Sequence, residues 1–346
     1  MKCAAAIVLT SLAIASASTF EHQTQFEVFK KTHIKSYSSK EEHASRFQKF
    51  VNNVEENKRK NAVLKSKGKD EIHGVTKFSD LTQNEFSEQY LGAFNPVDAP
   101  LYPVVNHFPV RVDTAVTGAY NLADDNLLTA VKDQAQCGSC WAFATTECLE
   151  SAHAMAGHDL IELSPQQLVS CDNADGNSGC QGGWPSAAMQ YTIENGGLAS
   201  EADYPYTSGR GRAAQCKSPV PAPSGGDAKS WAYAQPACQS GAACVEDSDA
   251  LANAIHSFGG IAIAIDASSF NSYTGGIITN DSCSSSPASL DHAIQVVGYD
   301  TTGPTPYWIV RNSWNTGWGE DGFIRFAMGD NTCGIANVAA VVSAMN

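Results

Sequence analysis

Between Gln25 and Gln89 apolar residues recur at spacings of three and four, with Phe26, Phe29, Ile34, Phe47, Phe50, Val54, Val63 and Leu64 set among charged neighbours. That period matches one face of an α-helix, and no proline interrupts it, so an amphipathic helical region packed on a neighbour is predicted. The pattern fails after Leu91. The run from Gly92 to Pro103 holds three prolines in twelve residues and reads as a linker open to cleavage. Beyond about residue 109 the texture becomes rich in Gly and Trp. A helix is predicted from Ser139 to about Gly157, carrying Trp141, Phe143, Leu149 and Met155. A second starts where Ser164 can cap and Pro165 fits the first turn, running to about Val169. A third spans roughly Ser186–Glu194 and stops at Gly196-Gly197. Short apolar runs at Ile261–Ile265, His292–Tyr299, Tyr307–Asn312 and Gly322–Ala327, divided by Gly, Pro and Asn turns, read as strands. Residues 208–226 read as an exposed loop. The whole is an α+β arrangement: a helical region, then a helical lobe, then a β lobe.

Composition narrows the functional classes. The chain has 346 residues and a net charge of -14, which repels phosphate backbones and anionic lipid; with no basic stripe to reverse it, no nucleic-acid partner is expected. The acid is uneven. Residues 19–108 carry 13 basic and 12 acidic side chains, while residues 109–346 carry 8 and 24. Cysteines divide at the same place, all but Cys3 lying between Cys137 and Cys333. The opening MKCAAAIVLTSLAIASAS has one Lys, a short apolar stretch and a small-residue end, the pattern of a secretory leader over residues 1–17. No later run is long enough to span a bilayer. Export permits disulfides, so the cysteines are treated as a bridge framework.

The richest string is Gln134-Ala135-Gln136-Cys137-Gly138-Ser139-Cys140-Trp141. It delivers Cys140 to the start of a helix, where unpaired N–H groups and the helix dipole favour a thiolate. A nucleophile needs a base and a group to orient it, and His292 and Asn312, on adjacent predicted strands, offer both. Gln134 is placed to pair its side-chain N–H with the Cys140 backbone N–H as oxyanion donors. Taken singly, each has a plainer reading more often than a catalytic one: half of a disulfide, a strand residue, a turn former. A zinc site is disfavoured because no second Cys-x-x-Cys pair follows, and no metal or cofactor is expected.

Together these residues resemble the papain-like cysteine peptidases of the cathepsin-L-like type. Cys137-Gly138-Ser139-Cys140-Trp141 carries the family's signature. Gly179-Cys180-Gln181-Gly182-Gly183, Tyr204-Pro205-Tyr206, Asp291-His292-Ala293, Asn312-Ser313-Trp314 and Gly317-Trp318-Gly319 extend the likeness along the chain. The resemblance implies a two-lobed fold and an endopeptidase in which Cys140 attacks, His292 transfers protons, Asn312 orients the ring and Gln134 binds the oxyanion. It implies a leader at 1–17, an inhibitory propeptide at 18–108 and a peptidase domain at 109–346, with cleavage between about 103 and 112. Glu42, Arg46, Phe50, Asn53 and Asn61 match the propeptide's helical pattern, and Gly74–Asp80 its following stretch. Asn57 and Thr76 depart from it, and Asn57 in an apolar place is expected to loosen the hairpin core.

By the same likeness, Trp184, Pro185, Ala264, Leu290, Ala293 and Val338 would line a P2 pocket without acid, favouring Leu, Val or Phe. Gly182 and Gly183 would pair with substrate backbone, Trp314 would roof the His292–Asn312 bond, and Trp318 would form a platform on the primed side. The implied bridges are Cys137–Cys180, Cys171–Cys216 and Cys283–Cys333. Cys238 and Cys244, close in an insertion, make a local fourth, leaving Cys148 as a buried thiol. Asn280 heads a glycosylation sequon. Expected partners are peptide and protein substrates, the chain's own propeptide and cystatin-like inhibitors. A monomer in a lysosome-like acidic compartment, or outside the cell, is expected. The alternatives are an inactive binding protein or a transpeptidase on the same scaffold.

Overall fold

The structure, a computed structural model, describes residues 20–92, 116–238 and 241–346. The expected leader, most of the linker and the cleavage position lie outside the described residues.

Three helices form the N-terminal region: α1 over residues 20–32, α2 over Lys40–Ser66 and α3 over Gln83–Tyr90. Ser39 caps α2 by accepting the Glu42 N–H, while the Glu42 carboxylate accepts both the N–H and the hydroxyl of Ser38. Thr82 and Glu85 make a capping box at the start of α3. Helices α1 and α2 meet over a small aromatic core of Phe26, Phe29, Phe50 and Val54, with Tyr37 and Phe47 at its edge. Ile34 departs from the predicted apolar stripe. It sits in the turn after α1 with φ 50° and is 91% exposed.

Asn53, Asn57 and Asn61 stand four residues apart on α2 and therefore share one face. Their amides donate to the carbonyls of Ser79 and Leu81 (2.8 Å each), Gly74 (2.8 Å) and His73 (2.7 Å). This ladder ties down carbonyls of the 73–81 stretch, whose start also pairs across an antiparallel bridge from His73 to Tyr273. The expected loosening at Asn57 is thereby corrected: its amide is buried but hydrogen-bonded, so the usual penalty for a buried polar group is offset.

In the remaining chain, α4 (Cys140–Met155) runs through the centre, with α5 (Pro165–Cys171) and α6 (Pro185–Asn195) beside it. Their shared core includes Trp141, Leu149, Leu163, Leu168 and Trp184. The strands are β1 (Ala119–Asn121), β2 (Ala228–Tyr233), β3 (Ile261–Ile265), β4 (Ile277–Ile278), β5 (His292–Asp300), β6 (Tyr307–Arg311), β7 (Phe323–Ala327) and β8 (Ala339–Met345). Their order is β2-β8-β3-β5-β6-β7-β4, with β1 pairing β5. Thus β1, from ahead of the helical part, is stitched antiparallel to the β part at Asn121–Gly298 and Tyr120–Tyr299. Helix α7 (Ser248–Phe258), capped by Asp247, was not predicted, nor were β2 and β8.

Four disulfides join Cys137–Cys180, Cys171–Cys216, Cys238–Cys244 and Cys283–Cys333, and Cys140 and Cys148 are free and buried. The N-terminal region docks by extending the β part's apolar core: Ile72, Phe78, Leu81, Phe86 and Leu91 belong to the same cluster as Tyr273, Trp314 and Trp318.

Candidate active site

Cys140 is the first residue of α4, set there by a turn in which Ala135 adopts φ 50° and the Cys137–Cys180 bridge clamps the two walls. Gly138 admits no side chain, because a Cβ there would lie 2.6 Å from the Cys180 carbonyl. The helix start favours a thiolate, yet Cys140 is fully buried beneath the N-terminal region. Burial pushes its thiol up to about 12, against the pull of the Ala293 and Trp141 backbone N–H groups. His292 opens β5 and is equally buried. Desolvation lowers its imidazole to about 4, and the hydrogen bond to Asn312 only partly opposes this. Both groups are therefore neutral in this covered state.

Asn312 immediately follows β6, the neighbour of β5, so the sheet itself brings it to the ring. His292 Nε2 lies 2.9 Å from Asn312 Oδ1. The same oxygen accepts the Ser313 N–H at 2.8 Å, which identifies it as the acceptor. Nε2 therefore carries the proton. Nδ1 keeps its lone pair and is buried without a hydrogen-bond partner among the described residues. Trp314 stacks on the ring with centroids 4.6 Å apart and 28° between planes, shielding the His292–Asn312 bond from water.

Gln134 is fully buried and tied to the β part twice: its backbone N–H donates to the Ser313 carbonyl (2.9 Å), and its Oε1 accepts the Ser313 hydroxyl (2.7 Å). The amide is thus oriented with Nε2 outward, donating to the carbonyls of Cys137 (2.9 Å) and Tyr90 (3.0 Å). Tyr90 ends α3. The N-terminal region therefore places a peptide carbonyl on this donor. It continues with Gly92 N–H donating to the Asp291 carbonyl at 2.9 Å. Phe78 and Phe86 close the site from above, both packing edge-on against Trp314.

Trp184, Ala264, Leu290, Ala293 and Val338 share one buried apolar cluster with Cys140, and Pro185 opens α6 beside them. Gly182 has φ 119°, and a Cβ on Gly183 would meet Asn177 Oδ1 at 2.3 Å, so the edge beside the cluster requires glycine at both positions. Trp318 lies elsewhere, packed on Trp314 and Tyr273 with its indole N–H on the Phe270 carbonyl. Asn280 donates to the Asp330 carbonyl and accepts the Cys333 N–H, so a sugar on its amide would compete with that anchor.

Three supporting residues escaped the sequence reading. Ser313 orients both Gln134 and Asn312. Asn177 Oδ1 accepts the Trp184 N–H at 2.6 Å and holds the glycine edge from behind. The Tyr206 hydroxyl donates to the Gln134 carbonyl at 2.9 Å. Ser313 and Tyr206 carried a signal, their places in Asn312-Ser313-Trp314 and Tyr204-Pro205-Tyr206, while Asn177 carried none. No group of three or more His, Cys, Asp or Glu able to hold a metal occurs among the described residues.

A buried thiol at a helix start, a histidine of fixed tautomer and an oxyanion donor in a cleft between helices and sheet define a cysteine peptidase site. The profile described as Papain family cysteine protease matches residues 117–343, and that described as Cathepsin propeptide inhibitor domain matches residues 26–86. A "Cysteine proteinase" of Trypanosoma brucei brucei is 38% identical over 342 residues, covering 95% of this chain and 69% of that protein. Among solved structures, a recombinant stem bromelain precursor superposes with TM-score 0.78 at 31% identity, over 94% of this chain and all of the other. Digestive procathepsin L 3 of Tenebrio molitor larval midgut gives 0.74 at 31%, over 92% and 98%. The chain belongs to the papain family of cysteine peptidases and carries its propeptide inhibitor domain; it is a zymogen.

Proposed function

We propose that the processed protein is an endopeptidase in which Cys140 forms an acyl-enzyme with substrate. His292 Nδ1 takes the thiol proton as sulfur attacks the scissile carbonyl, and the ring then returns it to the leaving amine. Water, deprotonated by the same nitrogen, releases the acid and restores the thiol. Asn312 holds the ring, and Gln134 Nε2 with the Cys140 N–H receives the carbonyl oxygen as charge develops. The observation that carries this reading is the Tyr90 carbonyl on Gln134 Nε2, a peptide carbonyl already seated where the reaction needs one. The Trp184–Val338 cluster supports an apolar P2 side chain, and Gly182-Gly183 a substrate strand paired along its backbone.

Processing would occur in acid. Lys77 reaches Asp133 at 3.3 Å and Lys67 reaches Asp281 at 2.6 Å across the interface, while the His73 ring lies 2.8 Å from the Ser272 hydroxyl. The two ion pairs depend on ionised carboxylates and so weaken in acid, and charging the imidazole opposes the third contact. Residues 18–108 would leave as the inhibitor and 109–346 remain, in an acidic vesicle or outside the cell. The test is a P2-varied peptide library with the acid-processed protein. Cleavage of Leu, Val and Phe peptides above Arg and Asp, abolished in Cys140→Ser, is expected; activity surviving that substitution would overturn the mechanism.

A further inference from the structure

Resting on the peptidase reading, we propose that Arg210 makes the site select an acidic side chain, Glu or Asp, at the residue that donates the scissile carbonyl (P1). A cavity of about 650 Å³ adjoins the oxyanion position, its enzyme wall formed by Gln136, Gly138, Cys180, Gln181, Arg210 and Asp291. Two polar groups frame it. Gln134 Nε2 receives a carbonyl and the Asp291 carbonyl receives an N–H, from Tyr90 and Gly92 in the zymogen. A substrate residue held by the same two anchors has its side chain beside this wall.

The wall is built to hold a charge in place. Arg210 occupies the corner of a turn closed by Gly211 N–H on the Ser208 carbonyl (3.0 Å), and Gly211 takes φ 80°. Gln136 N–H fixes the turn through the Gly209 carbonyl at 3.0 Å. Behind it, fully buried Gln166 accepts the N–H groups of Thr207 and Ser208 and donates to the Ser208 hydroxyl. The guanidinium itself is exposed and makes no ion pair or hydrogen bond among the described residues. One carboxylate shares the enzyme wall. Asp291 is half-buried, its carboxylate accepts the Ala267 N–H at 2.7 Å, and desolvation in the zymogen pushes it up to about 7. In a catalytic unit with 24 acidic and 8 basic side chains, Arg210 is the one basic side chain lining the cavity. The propeptide already offers the complement, since Glu88 lines the cavity from the opposite side.

The experiment measures kcat/KM of the processed enzyme at about pH 6, where a P1 Glu is ionised, on peptides with Leu at P2 and Glu, Gln or Arg at P1. The wild type is expected to favour Glu over Arg by roughly ten-fold, within reach of a solvent-exposed charge pair and its repulsive counterpart. Arg210→Ala should erase the preference, Arg210→Glu reverse it and Arg210→Lys retain it, while the Gln peptide is cleaved equally by all. The ratio should shrink as salt rises. Equal or better cleavage of the Arg peptide by the wild type, or an unchanged ratio in Arg210→Glu, would overturn the assignment. Failure to cleave even the Gln peptide would overturn the peptidase reading beneath it.

Discussion

The propeptide and the catalytic unit are stabilised by different means, and the difference explains why one is disposable. The catalytic unit has four disulfides and cores running through a central helix and an eight-stranded sheet. The propeptide has no cysteine, a core of a few aromatic rings, and polar links: the asparagine ladder, Lys35 on Asp80, and Arg46 and Lys49 on Glu85. Bridges and apolar burial are insensitive to pH between neutrality and mild acid. Carboxylate pairs are not. Burial pushes Glu85 up, but Lys49, the Thr82 N–H and Arg46 outweigh it and hold its carboxyl below the ordinary value. Its contribution is present above the unfolded pKa of about 4.3 and lost as pH falls through the lowered folded value.

One change that would sharpen this comparison lies on the enzyme side. Asn312→Ala should lower kcat/KM of the processed enzyme by about 10²-fold, because His292 loses the bond that fixes its tautomer, and should also cost the zymogen about 1–3 kcal/mol by leaving the buried His292 and Ser313 N–H groups without their acceptor. A comparable loss of propeptide affinity instead would show that Asn312 serves docking. Next, Phe50→Ala should cost the propeptide about 3–5 kcal/mol and let it unfold ahead of the catalytic unit in a calorimetric scan. A single transition at the wild-type temperature would break the claim of separate stabilities. Asn57→Ala should be milder, about 1–3 kcal/mol, by leaving the Gly74 carbonyl unpaired; urea unfolding of the zymogen reads it.

The smallest expected effect concerns pH. Burial, with some help from Lys60, lowers His73 to about 4 in the zymogen. Once released its ring returns to about 6.5, so release takes up a proton between those values and is favoured as pH falls through that window. Above 6.5 the ring contributes nothing. Its effect therefore begins above the range of Asp281, whose carboxyl Lys67 holds below the ordinary value. His73→Gln should move the midpoint of autoprocessing to lower pH by a fraction of a unit. An unchanged midpoint would assign the trigger to Asp133 and Asp281 alone.

Much of this was legible in the sequence because the decisive residues are local signals. Cys140 follows a turn of small residues, and His292 and Asn312 sit at ends of strongly apolar strands, so periodicity alone puts both on the sheet. Strands β2 and β8 carry no local signal: AKSWAY and AAVVSAM alternate poorly, and they form by tertiary pairing, β2 on β8 and β8 on β3. Helix α7 carries local signals of its own, an apolar face of Leu251, Ala252, Ala254 and Ile255 behind the Asp247 cap. Asn57 misled for a subtler reason. A polar residue in an apolar slot predicts looseness unless its partner, here a backbone carbonyl 17 residues away, is known. The covered state of Cys140 was equally hidden, since the helix start argues for a thiolate and burial in the zymogen reverses it.

We infer that the Tyr90–Gly92 segment keeps the Cys140 thiol covered and neutral until the propeptide leaves. Mass-spectrometric labelling of the zymogen and the acid-processed enzyme with iodoacetamide tests it directly, with peptidase activity followed in parallel. The prediction is slow labelling of Cys140 in the zymogen, and rapid uptake of one equivalent at Cys140 after processing that abolishes activity. Equal labelling rates in the two forms, or activity that outlasts full modification of Cys140, would contradict it.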